Sequence, residues 1–229
     1  MLEVKTLSSG YGTVPILRGL SFTIARNEFV SIYGFNGVGK TTLLKTLIGL
    51  LPCSKGEIRI EGRDITHARP HLRARAGLGY VPQGRGILPS LSVAENLQFA
   101  AAARGRRDRG AVEEVLYDFP RLKAYLDRPG GALSGGEQQL LALARTLIQK
   151  PGIVLLDEPT DGIQPSIIQE IVEKLHEVRS RGGLTVLLVE QNVDFIGALS
   201  DRIITLQKGQ FIAEQSRGDF LKSFKAEPG

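Results

Sequence analysis

The chain has 229 residues, 42% of them hydrophobic and 23% charged, a composition that builds a folded core and excludes intrinsic disorder. Lys+Arg 29 against Asp+Glu 24 leaves a net charge of +5, a mild basic excess that permits an anionic partner without naming one. Cys53 is the only cysteine, which excludes an intrachain disulfide framework and points to a reducing compartment.

A chain this long buries roughly 70–75% of its extended surface and needs no disulfide or metal to hold a core. One large domain, or one domain carrying a subdomain, is expected. The first third alternates as strands do. Leu20, Phe22 and Ile24 share a face, and Phe29, Val30 and Ile32 follow after a turn at Arg26 and Asn27. A strand over residues 28–33 runs into the glycine-rich string GFNGVGKT, residues 34–41. A helix follows, with Leu43, Leu44, Leu47, Ile48 and Leu51 on one broad face, and a strand pair surrounds Ile58 and Ile60. Cys53 closes the apolar stretch 47–53 and reads as a small buried hydrophobe.

Helical patterns occupy residues 93–103, 111–118 and 137–149, separated by Gly- and Pro-rich joints. The last third returns to alternation between strands and helices. Residues 153–156 and 184–189 are continuous apolar runs, as parallel strands covered on both faces require. Between them residues 167–178 are amphipathic, and residues 202–206 and 211–214 form a closing hairpin about Lys208 and Gly209. No apolar run approaches the roughly 18 residues of a membrane span. The opening MLEVKTLSSG carries no export signal, and the basic run with Arg104, Arg106, Arg107 and Arg109 reads as a solvated face.

Three strings carry chemistry. Residues 34–41 match G-x-x-x-x-G-K-[ST] between a strand and a helix, the context that a phosphate loop needs. Gly34, Gly37 and Gly39 let the backbone curl, so that N–H groups around Asn36 point at phosphate oxygens and the helix end adds positive charge. Lys40 is placed to reach the β- and γ-phosphates, and the Thr41 hydroxyl, followed by Thr42, to ligate magnesium. Second, the run 153–156 delivers Asp157 and Glu158 at a strand's carboxyl end, where a doubly wound sheet has its ligand crevice. Asp157 can hold magnesium there, and Glu158 can polarise the attacking water. Third, LSGGEQQ, residues 133–139, sets Ser134 and Glu137 at capping-box spacing, while Gly135 and Gly136 suit close approach of an anion at the helix start. Two phosphate-binding helix ends with one phosphate loop share a nucleotide most simply if a second chain supplies one of them.

The phosphate loop, LSGGEQQ and VLLDEPT, in this order and spacing, resemble the ATP-binding cassette (ABC) ATPases over nearly the whole chain. The resemblance implies an α/β fold: a phosphate-loop core with a mainly parallel sheet, an antiparallel β subdomain and an inserted helical subdomain. It implies one domain over residues 1–229, with the core at about 1–84 and 151–229 and the helical part at about 85–150. It further implies ATP and Mg²⁺ as ligands and two ATPs sandwiched in a head-to-tail dimer, with an identical or a paralogous cassette as the second subunit. Tyr11 becomes the aromatic that stacks on adenine, and Gln83, in YVPQ, the loop residue that senses magnesium and the transmembrane partner. Two positions depart from the family pattern. Gln191 stands where a histidine usually contacts the γ-phosphate, and Gln164 stands where many members have an aspartate.

VPQGRGILPSLSVAENL, VEQN and DEPTDGIQPSII resemble one branch, the bacterial importers for branched-chain amino acids and for urea or short-chain amides, with DGIQPSII leaning towards urea. The branch implies permease partners, a periplasmic binding protein acting indirectly, no nucleic acid, and a peripheral place on the cytoplasmic face of the inner membrane. A cassette acting on DNA or ribosomes is the alternative; those relatives carry coiled-coil insertions or paired cassettes, which this sequence lacks. A small-molecule kinase would leave LSGGEQQ unexplained.

Overall fold

The structure is a computed structural model that describes residues 1–103 and 109–225. Strands β1 (Leu2–Tyr11) and β2 (Val14–Ile24) form an antiparallel hairpin whose register runs from Leu2 opposite Ile24 to Tyr11 opposite Val14. Strand β3 (Phe29–Tyr33) leads through the phosphate loop into helix α1 (Lys40–Leu47). Strands β4 (Lys55–Ile60) and β5 (Arg63–Asp64), helix α2 (Pro70–Arg75) and strand β6 (Leu78–Val81) follow. The middle holds α3 (Val93–Ala102), α4 (Arg109–Asp118) and α5 (Gly135–Leu147). Then come β7 (Ile153–Asp157), α6 (Pro165–Gly182), β8 (Thr185–Glu190), α7 (Val193–Leu199), β9 (Arg202–Gln207), β10 (Gln210–Ser216) and α8 (Arg217–Lys225).

Two sheets result. A four-stranded antiparallel sheet has the order β2-β1-β4-β5, and a six-stranded sheet has the order β10-β9-β3-β8-β7-β6. In the second, β9, β3, β8, β7 and β6 are parallel and β10 is an antiparallel edge. This order sets β3, β8 and β7 side by side, so the loop after Tyr33, the pair Asp157–Glu158 and the segment after Glu190 leave the sheet at one edge. Alternation along β7 separates two cores. Ile153 and Leu155 pack with β1, β4 and α1, whereas Val154 and Leu156 pack with Leu97 of α3, Val115 of α4, Leu141 of α5 and Ile171 of α6. Each fully buried Leu, Ile or Val contributes ~1.5–3 kcal/mol.

The helix after the phosphate loop is shorter than its apolar spacing suggests. It ends at Leu47, and Gly49 turns the chain away with φ 81, so Leu51 lies beyond the helix face rather than on it. The terminating device is Arg73, 2% exposed, whose Nη1 donates to the carbonyls of Thr46 and Leu47, both at 2.7 Å. Leu47 O is a carbonyl that the helix end leaves unpaired, while Thr46 O also accepts from Gly49 N at 3.2 Å. Cys53 is only half-buried and its thiol donates to Lys55 O at 3.0 Å, which corrects its reading as a buried hydrophobe. Ile58 and Ile60 do lie in a strand pair, β4 with β5, and β4 also pairs with β1. Arg104, Arg106 and Arg107 and the Arg109 side chain lie outside the described residues. Among the described residues no helix is long and apolar enough to cross a membrane.

Candidate nucleotide site

The loop between β3 and α1 needs its glycines. Gly39 has φ 114, and a Cβ there would meet Leu17 Cδ2 at 2.9 Å; a Cβ on Gly34 would sit 2.6 Å from Leu206 O. Gly37 is left-handed with open space around it, Asn36 is exposed at the tip, and Thr42 is buried in the first turn of α1. The Lys40 side chain folds back over this loop. Its Nζ donates to Gly34 O at 2.5 Å and to Phe35 O at 3.1 Å, and pairs with Glu158 Oε1 at 2.9 Å.

Asp157 ends β7 with 1% exposure and accepts hydrogen bonds from Thr41 Oγ1 at 2.9 Å and Tyr80 OH at 3.0 Å. Burial pushes its carboxyl above the ordinary aspartate range, the two hydroxyl donors pull it back, and neighbouring Glu158 pushes it up again. The Tyr80 phenol is itself driven far up, first by burial and then by the charge of Asp157. Glu158 has φ 46, the left-handed region that costs a non-glycine residue roughly 1–2 kcal/mol. It is held there by its N–H, which donates to Val189 O at 3.0 Å, and by Gln83 Nε2, which donates to Glu158 Oε2 at 3.0 Å. Lys40 and Gln83 therefore meet on Glu158, while Thr41 and Tyr80 meet on the adjacent Asp157. Tyr80 is the member that sequence reasoning missed, although it opens the YVPQ string that contains Gln83.

The second helix end is built as its spacing suggests. Ser134 caps α5: its Oγ accepts from Glu137 N at 3.4 Å, and its N–H donates to Glu137 Oε2 at 2.8 Å. Burial acts to raise the Glu137 carboxyl, but the Tyr125 hydroxyl and the Ser134 donors outweigh it and hold the group below the usual range. Ser134 is exposed and Gly136 is buried. A Cβ on Gly136 would strike Ile167 of α6 at 2.8–3.2 Å, so this glycine has a packing reason that the reading from anion approach did not contain. A Cβ on Gly135 would lie 2.8 Å from Arg85 Nη2 and 3.5 Å from Gly162 O, so space at the start of α5 is close on both glycines.

Tyr11 ends β1 half-exposed. Gln191 is exposed just after β8, beside the missed Glu190, which is 2% exposed. The Glu190 carboxylate accepts from Gln191 N at 2.7 Å, Asn192 N at 3.1 Å and Thr160 Oγ1 at 2.8 Å, and so fixes the path of the chain at position 191. Gln164 stands at the N-cap of α6 without a side-chain cap.

A family model described as ABC transporter matches residues 17–161. A probable branched-chain amino acid transport ATP-binding protein, LivF of Archaeoglobus fulgidus, is 35% identical and covers 99% of this chain and 97% of its own length. The high-affinity branched-chain amino acid transport ATP-binding protein BraG of Pseudomonas aeruginosa is 38% identical over 98% of this chain and 97% of its own. A solved dimeric bacterial ABC transporter cassette aligns with a TM-score of 0.86 at 26% identity, covering 95% of this chain and 99% of that one. With a phosphate loop, a paired carboxylate at a strand end and a capped LSGGEQQ helix in their places, the chain belongs to the ABC transporter family and is one of its ATP-binding, ATP-hydrolysing cassettes.

Proposed function

We propose that the protein is the ATPase subunit of an importer, working as a pair of cassettes beneath two permease subunits. The observation that carries this reading is the cluster in which Lys40 and Gln83 both bond Glu158 while Thr41 bonds the adjacent Asp157. Lys40 and the loop N–H groups bind the β- and γ-phosphates, Glu158 orients and polarises the attacking water, and Gln83 senses magnesium and the permease partner. Tyr11 stacks on the adenine, and Gln191 offers an amide where the reaction leaves phosphate.

Thr41 and Asp157 fit magnesium. They offer two hard oxygens already 2.9 Å apart, and this ion is commonly held by one or two such protein oxygens together with phosphates. Bound there, it would neutralise phosphate charge. The second cassette completes each site with its Ser134, Gly135 and Gly136; a solved relative described as a dimeric cassette supports the pairing alone. Residues 85–150 act as a helical subdomain of the single domain. The place is the cytoplasmic face of the inner membrane, no nucleic acid is a partner, and a periplasmic binding protein acts only through the permease.

Branched-chain amino acids are the cargo class we assign, because both relatives above carry that description. The lean of DGIQPSII towards urea rests on that string alone. The test is a mild-detergent pull-down followed by ATPase assays in proteoliposomes with binding protein and either leucine or urea. Co-purifying permease subunits and stimulation by leucine support the reading. Stimulation by urea alone moves the cargo to amides, and recovery of ribosomes or DNA without permease overturns the importer.

A further inference from the structure

Gly84, Arg85 and Gly86 are three successive left-handed residues, with φ 81, 72 and 64. Glycine adopts this region freely, whereas arginine there is strained. A third glycine would suit the backbone better, so the arginine is kept for its side chain. Arg85 Nη1 donates to Gln138 Oε1 at 3.1 Å, and a Cβ on Gly135 would lie 2.8 Å from Arg85 Nη2. Gln138 in turn donates to Leu133 O at 3.0 Å, so the tie reaches both sides of Ser134. A second tie comes from Arg145, near the other end of α5, whose Nη1 donates to Gly86 O at 2.7 Å. Its Nε is buried without a partner among the described residues, a cost accepted in delivering that bond. Just upstream, Gln83 is bonded to Glu158.

We propose that Arg85, seconded by Arg145, is a positioning residue that straps the Gln83 loop to α5, so that departure of Gln83 from Glu158 at this chain's own nucleotide moves the Ser134 end that serves the second nucleotide. The proposal rests on the two-cassette reading above. The two arginines would turn a local bond exchange at Gln83 into movement of a whole helix.

The test uses the full chain and Arg85→Gly, which removes the strap and the backbone strain together. Its melting temperature should equal or exceed that of wild type, and its affinity for trinitrophenyl-ATP should stay within about twofold. The kcat should fall by about tenfold, the loss that ~1.4 kcal/mol of transition-state stabilisation gives. The Hill coefficient for ATP, bounded by about 2 for two sites, should fall to about 1. Arg85→Lys, which retains one donor for Gln138, should recover part of both losses. Gln138→Ala should copy the glycine variant and add nothing to it in the double mutant. Wild-type kcat and cooperativity in Arg85→Gly overturn the proposal. So does a melting temperature that falls in step with kcat, since the side chain would then merely hold the fold. Wild-type chains that show neither cooperativity nor ATP-dependent pairing overturn the two-cassette reading and the strap together; intact pairing and cooperativity in Arg85→Gly overturn the strap alone.

Discussion

Lys40 and Glu158 are each other's counter-ion, 2.9 Å apart with 4% and 10% of their side chains exposed. The cation meant for phosphate and the carboxylate meant for water neutralise one another, and an incoming γ-phosphate competes with Glu158 for the ammonium. Removing one member of a buried pair strands the other charge, which costs ~3 kcal/mol or more. Lys40→Ala should therefore abolish turnover, weaken ATP binding and lower stability to urea. Adding Glu158→Gln should restore most of the stability and none of the activity. Equal urea midpoints for wild type and Lys40→Ala would show that the pair is incidental.

Glu158→Gln alone keeps the shape and frees Lys40 from its competitor. It should bind Mg-ATP at least as tightly as wild type yet turn over at least ~10²-fold slower, the lower range for losing a general base. ATP should then accumulate a closed dimer in sedimentation. A carboxylate at the α5 start should oppose that closure, and Ser134→Asp is the clean probe because aspartate also caps helices. Gly136 is unsuited to this use, since any side chain there meets Ile167. Dimerisation of Ser134→Asp/Glu158→Gln with ATP would remove the composite site.

Asp157 gives a prediction in pH. Its folded-state pKa is raised by burial, so its contribution to stability is complete below the unfolded value and is lost as pH rises through the folded one. At neutral pH the ionised group is a standing cost that a bound cation relieves. Asp157→Asn should melt above wild type without nucleotide at pH 7, with the gap closing on acidification. Saturating Mg-ATP, worth about 2.7 kcal/mol at a hundredfold excess over Kd, should stabilise wild type more than the variant. Thermal melts at several pH values decide it, and a variant less stable than wild type at neutral pH contradicts the argument.

Gln191 cannot titrate, whereas a histidine there would between about pH 5 and 8. Gln191→His should stay active and acquire a steeper pH–rate profile, while Gln191→Ala should be slower than wild type. Identical rates for glutamine and alanine at every pH would make the position a bystander.

What the sequence makes legible is local. The phosphate loop, the Asp157–Glu158 pair and the Ser134 cap each lie within a few residues, so spacing alone specifies their geometry. The parallel strands β7 and β8 are legible because burial on both faces leaves an unbroken apolar run. Tyr80, Arg85 and Arg73 escape because their roles depend on partners far along the chain: Asp157, Gln138, and the carbonyls of Thr46 and Leu47. Helix α7 is short, but Asn192, which accepts from Phe195 N at 3.0 Å, is a start signal that could have been read. Helix α2 has only six residues, too few to show a period, whereas Phe220, Leu221 and Phe224 of α8 stand at helical spacing that could have been read.

The pairing of β3 has a consequence for how the molecule is made. Its neighbours in the sheet are β8 and β9, so Phe29 finds its place only beside Val186, and Val30 beside Arg202. The hairpin of β1 and β2 can close as soon as it leaves the ribosome, but the strand that aims the phosphate loop waits for most of the chain. At about 5–20 residues per second that delay is on the order of ten seconds. During synthesis the stretch from Phe29 to Ile32 is an apolar strand with two open edges, and the ability to grip a nucleotide arrives late and all at once.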